Sequence, residues 1–156
     1  MFKKIRPFIF KFSPEVAHSL AIKTLKSNLI PSSKAIDSEI LKTKLFGKNI
    51  KNPIGVAAGF DKNAEVYNPL FNLGFGFVEV GTITPNPQYG NPKPRVFRLE
   101  EDKALINRLG FNNSGSDEIS ARIKKNSAHG LLGINIGPNK DTKNRVEDYL
   151  KCFRKF

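Results

Sequence analysis

Ala58-Gly59-Phe60-Asp61-Lys62 sets two small residues, an aromatic ring, a carboxylate and an ammonium side by side at the end of a short apolar run. Small residues let backbone approach a flat ligand closely. An ammonium at the rim can bind a carboxylate or stabilise negative charge developing on a ring. Taken alone, a lysine so placed is more often just solvated surface. Thr82 brings a hydroxyl, donor and acceptor at once, to the corresponding end of the next run. Asn107-Arg108-Leu109-Gly110-Phe111-Asn112-Asn113 offers amide side chains, a glycine for close approach and backbone N–H groups, the ingredients for holding a planar polar ligand. Asn135 stands inside an apolar run, where a buried amide needs partners. Neighbouring backbone or a bound cofactor could supply them. A single cysteine, Cys152, excludes an internal disulfide and a multi-cysteine metal site, favours a reducing compartment, and reads as a buried thiol rather than a reactive one.

These residues need elements to position them. The runs at 54–58 (IGVAA), 77–80 and 131–136 (LLGINI) are too short for helices and lack strict alternation, as expected of strands buried on both faces of a parallel sheet. Helical patterns follow each, at 64–73, at 117–125 and from about Asn144 onward. The order β-α-β-α-β-α predicts an α/β architecture with right-handed crossovers. Without a G-x-G-x-x-G after the first strand, the dinucleotide-binding open sheet loses its main support. A (β/α)8 barrel gains it, because AGFDKN, GTITP and NIGPNKD all stand at carboxyl ends of strands, where barrels build their sites. Residues 84–113, rich in Pro, Gly and Asn, exceed the usual length of a structureless loop and read as an active-site excursion.

The amino-terminal segment differs in texture. Ile5, Phe8, Ile9 and Phe12 form a helical stripe flanked by Lys3, Lys4, Arg6 and Lys11; Ser13-Pro14 predicts an N-cap and first position of a second helix, with Ala17, Leu20, Ala21 and Leu25 on one face. Pro31-Ser32-Ser33 should close it. Such a pair either lies in a membrane interface or packs on its own protein's core, the commoner case. His18, beside Ile22 and Leu25, reads as structural on spacing alone. The formal charge is +12, and residues 1–36, with seven Lys or Arg against Glu15, carry half of it. An anionic partner follows: membrane face, small anion or nucleic acid. A non-catalytic basic module is therefore the alternative to an enzyme, although no nucleic-acid-binding fold is recognisable. No apolar run approaches the ~20 residues of a spanning helix, and no signal peptide is evident.

Four ordered motifs, NPIGVAAGFDKNAE, GFGFVEVGTITPNPQYGNPKPRVFRL, INRLGFNN and GINIGPNKDT, resemble the membrane-associated, quinone-dependent class of dihydroorotate dehydrogenases along nearly all of the chain after residue 40. The basic helical pair with SPEVAH resembles that class's amino-terminal extension. The resemblance implies a partial (β/α)8 TIM barrel of about three β/α units at 40–156, preceded by a helical membrane and quinone-tunnel extension at 1–36. It implies FMN held by Ala58, Gly59, Phe60, Asp61, Lys62, Thr82 and Asn135. Dihydroorotate or orotate would lie against Lys62, Asn107, Arg108, Leu109, Gly110 and Phe111, and ubiquinone or menaquinone against His18 and Arg98. No metal and no nucleic acid are implied.

In that family's reaction a serine base takes a proton from dihydroorotate as hydride passes to the flavin, which a quinone reoxidises; Lys62 would stabilise the reduced flavin. The serine, in an N-S-S-P-N motif after the fourth strand, is expected beyond residue 156, and neither Ser114 nor Ser116 stands in that motif. A complete barrel takes roughly 250 residues. The 156 residues alone are thus expected to be inactive and poorly soluble, with parallel strand edges unpaired. The resemblance further implies a peripheral membrane location, on the cytoplasmic face of the inner membrane in a bacterium.

Overall fold

A computed structural model describes residues 2–27 and 38–156; the expected Pro31-Ser32-Ser33 stop and the end of the extension lie outside them. Helices α1 (Phe2–Ile9) and α2 (Pro14–Lys26) come first. Pro14 opens α2 as expected, but the Ser13 side chain makes no capping hydrogen bond. A hairpin of β1 (Thr43–Leu45) and β2 (Lys48–Ile50) follows. Then come β3 (Gly55–Val56), α3 (Tyr67–Asn72), β4 (Phe77–Ile83), a second hairpin of β5 (Val96–Leu99) and β6 (Ala104–Asn107), α4 (Ser116–Lys125), β7 (Leu131–Ile136) and α5 (Arg145–Lys155).

β3, β4 and β7 form a parallel sheet in that order, in register Gly55↔Phe77 and Phe77↔Leu131. Sequential strands are neighbours and each is followed by a helix, the arrangement of consecutive units of a (β/α)8 barrel. The strands are not buried evenly on both faces. Val78 and Val80 are fully buried, packed with Leu70, Ile119, Leu132 and Ile134 beneath the helices, whereas Phe77, Glu79 and Asn135 are half-buried on the opposite face. One face is therefore a helix-covered core. The other carries a carboxylate and an amide, as the inside of a barrel must if it is to serve a site at its mouth.

Two sequence expectations shrink or change. The first strand is two residues long rather than five, because the chain leaves the ladder at Ala57 to form the AGFDK turn. The excursion at 84–113 is not structureless: its middle is the β5–β6 hairpin, and Gln88 and Asn113 exchange both backbone hydrogen bonds at 2.9 Å. α5 starts where expected, capped by the Asn144 side chain accepting from the Glu147 N–H at 3.1 Å.

α2 buries Ile22 and Leu25 in the core of the α/β body, with His18 half-buried on that side. Leu20 belongs elsewhere: with Val16 it is exposed, as are Ile5, Phe8 and Phe12. The helical pair thus has both of the faces weighed from sequence, one against the protein and one outward.

Candidate active site

The AGFDK turn is fixed from beneath by Asp61. Its carboxylate is buried and accepts from the backbone N–H groups of Glu65 and Val66, both at 2.7 Å. Burial pushes Asp61 above the usual carboxylate range, opposed by those N–H bonds. The side chain is thus spent inside the protein. The turn is stitched to the end of β4 by Gly59 N–H donating to Gly81 O at 2.8 Å and Gly81 N–H donating to Asp61 O at 3.0 Å. Gly81 adopts φ +113°, and a side chain there would collide with the Asn135 carbonyl oxygen. Backbone contacts draw the three strand ends together, leaving a cradle free of side chains beside Thr82 and Asn135.

Thr82 Oγ1 donates to Asn135 Oδ1 at 2.6 Å, and Asn135 Nδ2 donates to Glu79 Oε1 at 2.9 Å. The partners of Asn135 are therefore side chains of β4, where the sequence left neighbouring backbone and a bound cofactor both open. Gly137 closes the group: a Cβ there would come within 2.7 Å of the Thr82 methyl, and the Phe111 ring lies at 4.0 Å from the same point.

Beside this cradle lies a cavity of about 640 Å³ between α2, the AGFDK turn and the β5–β6 hairpin. It gathers eight of the sequence-derived residues: His18, Gly59, Phe60, Asp61, Lys62, Arg98, Asn107 and Leu109. Lys62 Nζ donates to Gly59 O at 2.6 Å, and burial lowers its pKa, with Glu15 and Asp61 opposing and Arg95 assisting. His18 Nε2 donates to Phe60 O at 2.7 Å, and its ring stands edge-on to Phe60 at 5.4 Å. A carbonyl only accepts, so Nε2 carries the proton. Burial holds His18 below its ordinary pKa, and Lys62 pushes the same way.

Arg98 lines the cavity while its Nη1 donates to Phe10 O and Phe12 O, with the guanidinium 4.5 Å over the Phe10 ring. It ties the α1–α2 junction to the hairpin. Arg108 instead turns outward to Pro94 O at 3.1 Å, and Gly110, at φ +74°, packs against Asn91; neither lines the cavity. Ala58, Thr82, Phe111 and Asn135 also lie outside its wall. Asn113 is consumed structurally, accepting from Thr84 N and Gly115 N and donating to Thr84 Oγ1 and Phe111 O.

Sequence reasoning does not foresee Arg95 or Glu79, and names Asn112 only as one of a run of amides. Arg95, 7% exposed, donates to Glu15 Oε1 from Nε at 3.1 Å and from Nη2 at 2.9 Å, and from Nη1 to Tyr89 O and Asn91 O. It clamps α2 over the cavity. Burial would raise Glu15, but the Arg95 hydrogen bond and charge win and lower it. Asn112 lines the cavity with a buried Oδ1 that has no hydrogen-bond partner among the described residues. Glu79 completes the list. Arg95 and Glu79 lie within the 74–99 motif with nothing local to single them out, whereas Asn112 belongs to the amide-rich stretch 107–113 already read from sequence. Cys152 is buried, its Sγ facing Ile83 O, and burial with Asp148 nearby pushes its thiol up to about 11, which makes it an unreactive core group.

The sequence profile described as "Dihydroorotate dehydrogenase" matches residues 40–156. Among curated proteins, the chain is 49% identical to dihydroorotate dehydrogenase (quinone) of Rhizobium leguminosarum bv. trifolii over 156 residues, covering 99% of this chain and 43% of that protein. It is 54% identical to the enzyme of the same name from Rhizobium meliloti, covering 95% and 41% respectively. The crystal structure of DHODH from Eimeria tenella in complex with ferulenol superposes with a TM-score of 0.86 at 43% identity, over 92% of this chain and 40% of that one. The chain thus spans about two fifths of the length of the relatives it matches.

Proposed function

Because the chain belongs to the dihydroorotate dehydrogenase family, we propose that the complete protein oxidises dihydroorotate to orotate, with FMN bound at the strand ends and a quinone as final acceptor, in pyrimidine synthesis. The observation that carries this reading is the glycine cradle: Gly59 and Gly81 hydrogen-bonded to each other at the carboxyl ends of β3 and β4, with a cavity roofed by α2 alongside. The residues present fit a flavin. Backbone at 58–62 offers close approach, Thr82 and Asn135 offer fixed polar groups, and Lys62 offers positive charge.

Bound FMN would supply the hydride acceptor and pass its electrons to the quinone. Lys62, with Asn107 and Leu109 beside it on the cavity wall, holds the anionic substrate there. Its lowered pKa reflects desolvation, which strengthens its attraction to a carboxylate. His18 and Arg98 line the route from α2 into the cavity and receive the quinone. None of the chain's own residues is assigned as the base; that role goes to a serine beyond residue 156.

The exposed Ile5, Phe8, Phe12, Val16 and Leu20 beside Lys4, Arg6 and Lys11 support a peripheral membrane location, where the quinone is dissolved. Among the described residues no helix is long and apolar enough to cross a membrane.

The test is purification of the complete protein. Expected are a flavin absorbance spectrum, dihydroorotate-dependent reduction of a ubiquinone or menaquinone analogue, loss of most turnover on Lys62→Ala, and sedimentation with anionic vesicles. Residues 1–156 alone should show no turnover. A complete protein that binds no FMN or leaves quinone unreduced overturns the reading.

A further inference from the structure

Glu79 is the carboxylate on the inward face of β4, at the position paired with Gly133 of β7, and it is half-buried. Its neighbours in the strand, Val78 and Val80, point the other way into the helix-covered core. Among the described residues its hydrogen bond is to one amide: Asn135 Nδ2 donates to Glu79 Oε1 at 2.9 Å, and the other end of that amide accepts from Thr82 Oγ1 at 2.6 Å.

The order of this chain of bonds has a direction. The two ends of an asparagine amide are nearly identical in shape, so packing alone does not decide which end faces Thr82. A carboxylate does decide it, because it only accepts. With NH2 turned to Glu79, the Asn135 oxygen must face Thr82, and the Thr82 hydroxyl must spend its one proton on that oxygen. What remains on Thr82 for any ligand is lone pairs. Were the amide reversed, Thr82 would accept from Asn135 and present its proton instead. Glu79 therefore converts a threonine that could serve either role into a pure acceptor.

We infer that Glu79 is a positioning residue of the cofactor site, fixing through Asn135 the polarity of Thr82 so that the site selects a ligand edge bearing an N–H or O–H donor there. The inference rests on the proposed placement of FMN against Thr82 and Asn135.

The experiment is titration of FMN into the flavin-free complete protein, followed by flavin fluorescence, for Glu79→Leu and Glu79→Gln, each in the parent and in a Thr82→Val background. Glu79→Leu should weaken FMN binding about fivefold to tenfold, the loss of one oriented hydrogen bond. Glu79→Gln should cost only about twofold, because a glutamine carbonyl can still accept from Asn135 but its own reversal makes both polarities available. In the Thr82→Val background neither substitution should cost anything further, since the hydroxyl through which both act is gone. A residue that merely supported the sheet would weaken binding equally in both backgrounds.

Parental affinity in Glu79→Leu, or an undiminished cost beside Thr82→Val, overturns the positioning role while leaving the flavin site standing. If the parent itself takes up no FMN, the site reading fails and this inference with it. Should Glu79→Leu not fold, the Glu79→Gln pair carries the test: a cost that persists in the valine background refutes it.

Discussion

The carboxyl edge of the parallel sheet and the helical pair that roofs it are held together in opposite ways. At the sheet edge the contacts are backbone to backbone: Gly59 to Gly81, Gly81 to Asp61, and Gly81 pressed on the Asn135 carbonyl. At the roof they are side-chain anchors. Arg95 grips Glu15, His18 reaches Phe60 O, and Arg98 holds the carbonyls of Phe10 and Phe12, while Ile22 and Leu25 supply the apolar contact. At Gly81 this backbone-built edge has no room for a side chain. A roof built from separate anchors can be loosened one anchor at a time, which suits an element that covers a cavity.

Substitution should expose that contrast most strongly at Gly81. Valine there must adopt φ near +113° and collides with the Asn135 carbonyl, so strain and overpacking add to roughly 4 kcal/mol. Thermal unfolding of the complete protein should drop by many degrees and FMN should be absent from what folds. A Gly81→Val protein with parental melting temperature and flavin content would mean that the edge is not the rigid part.

At the roof, Arg95→Met should cost about 2 kcal/mol, less than a fully buried ion pair because Glu15 keeps some solvent. The loss should be local. Limited proteolysis should find new cleavage near α2, while amide exchange in β4 stays slow. Adding Glu15→Gln should cost less than the sum of the two single changes, since both remove the same clamp. Full additivity would show that Arg95 acts through the carbonyls of Tyr89 and Asn91 instead.

The same division separates what sequence discloses from what it hides. Elements written in local pattern are legible: the apolar run of β7, the start of α5 near Asn144, Pro14 at the start of α2. The β1–β2 hairpin is missed because its turn is Phe46-Gly47, both at positive φ, without the Asn-Gly or Asp-Gly that usually announces such a turn. The AGFDK turn is legible as a site, yet nothing local says that Asp61 points inward. Glu15 and Arg95 lie 80 residues apart and Glu79 and Asn135 lie 56 apart, and a pairing over such distances has no signature in either stretch. His18 sits on a helix whose burial depends on the body it packs against; spacing alone reads it as structural, and the structure adds that it bonds to Phe60 O while lining the cavity.

Acid should produce the smallest effect, and one of opposite sign in the two regions. Burial and Lys62 keep His18 below its ordinary value of 6.5, so a second proton on its ring is opposed in the folded protein. Above that pH the imidazole is neutral folded or unfolded and contributes no slope. Below it the unfolded chain takes the proton first, and α2 loses stability until the folded pKa is passed. Glu15 acts in the same direction at lower pH: its depressed pKa gives a contribution present above 4.5 and lost as pH falls. Asp61, raised by burial, works the other way. Its contribution is complete below 3.8 and is lost as pH rises through the folded value, so acid favours the sheet edge. Amide exchange corrected for intrinsic rates should therefore show α2 losing protection between pH 7.5 and 5.5 while the 61–66 turn holds or gains. His18→Gln, which can still donate to Phe60 O but does not titrate, should abolish the α2 response in that interval. If the response survives in His18→Gln, the anchor that senses pH lies elsewhere in the roof; if the turn loosens alongside α2, the two regions are not separate at all.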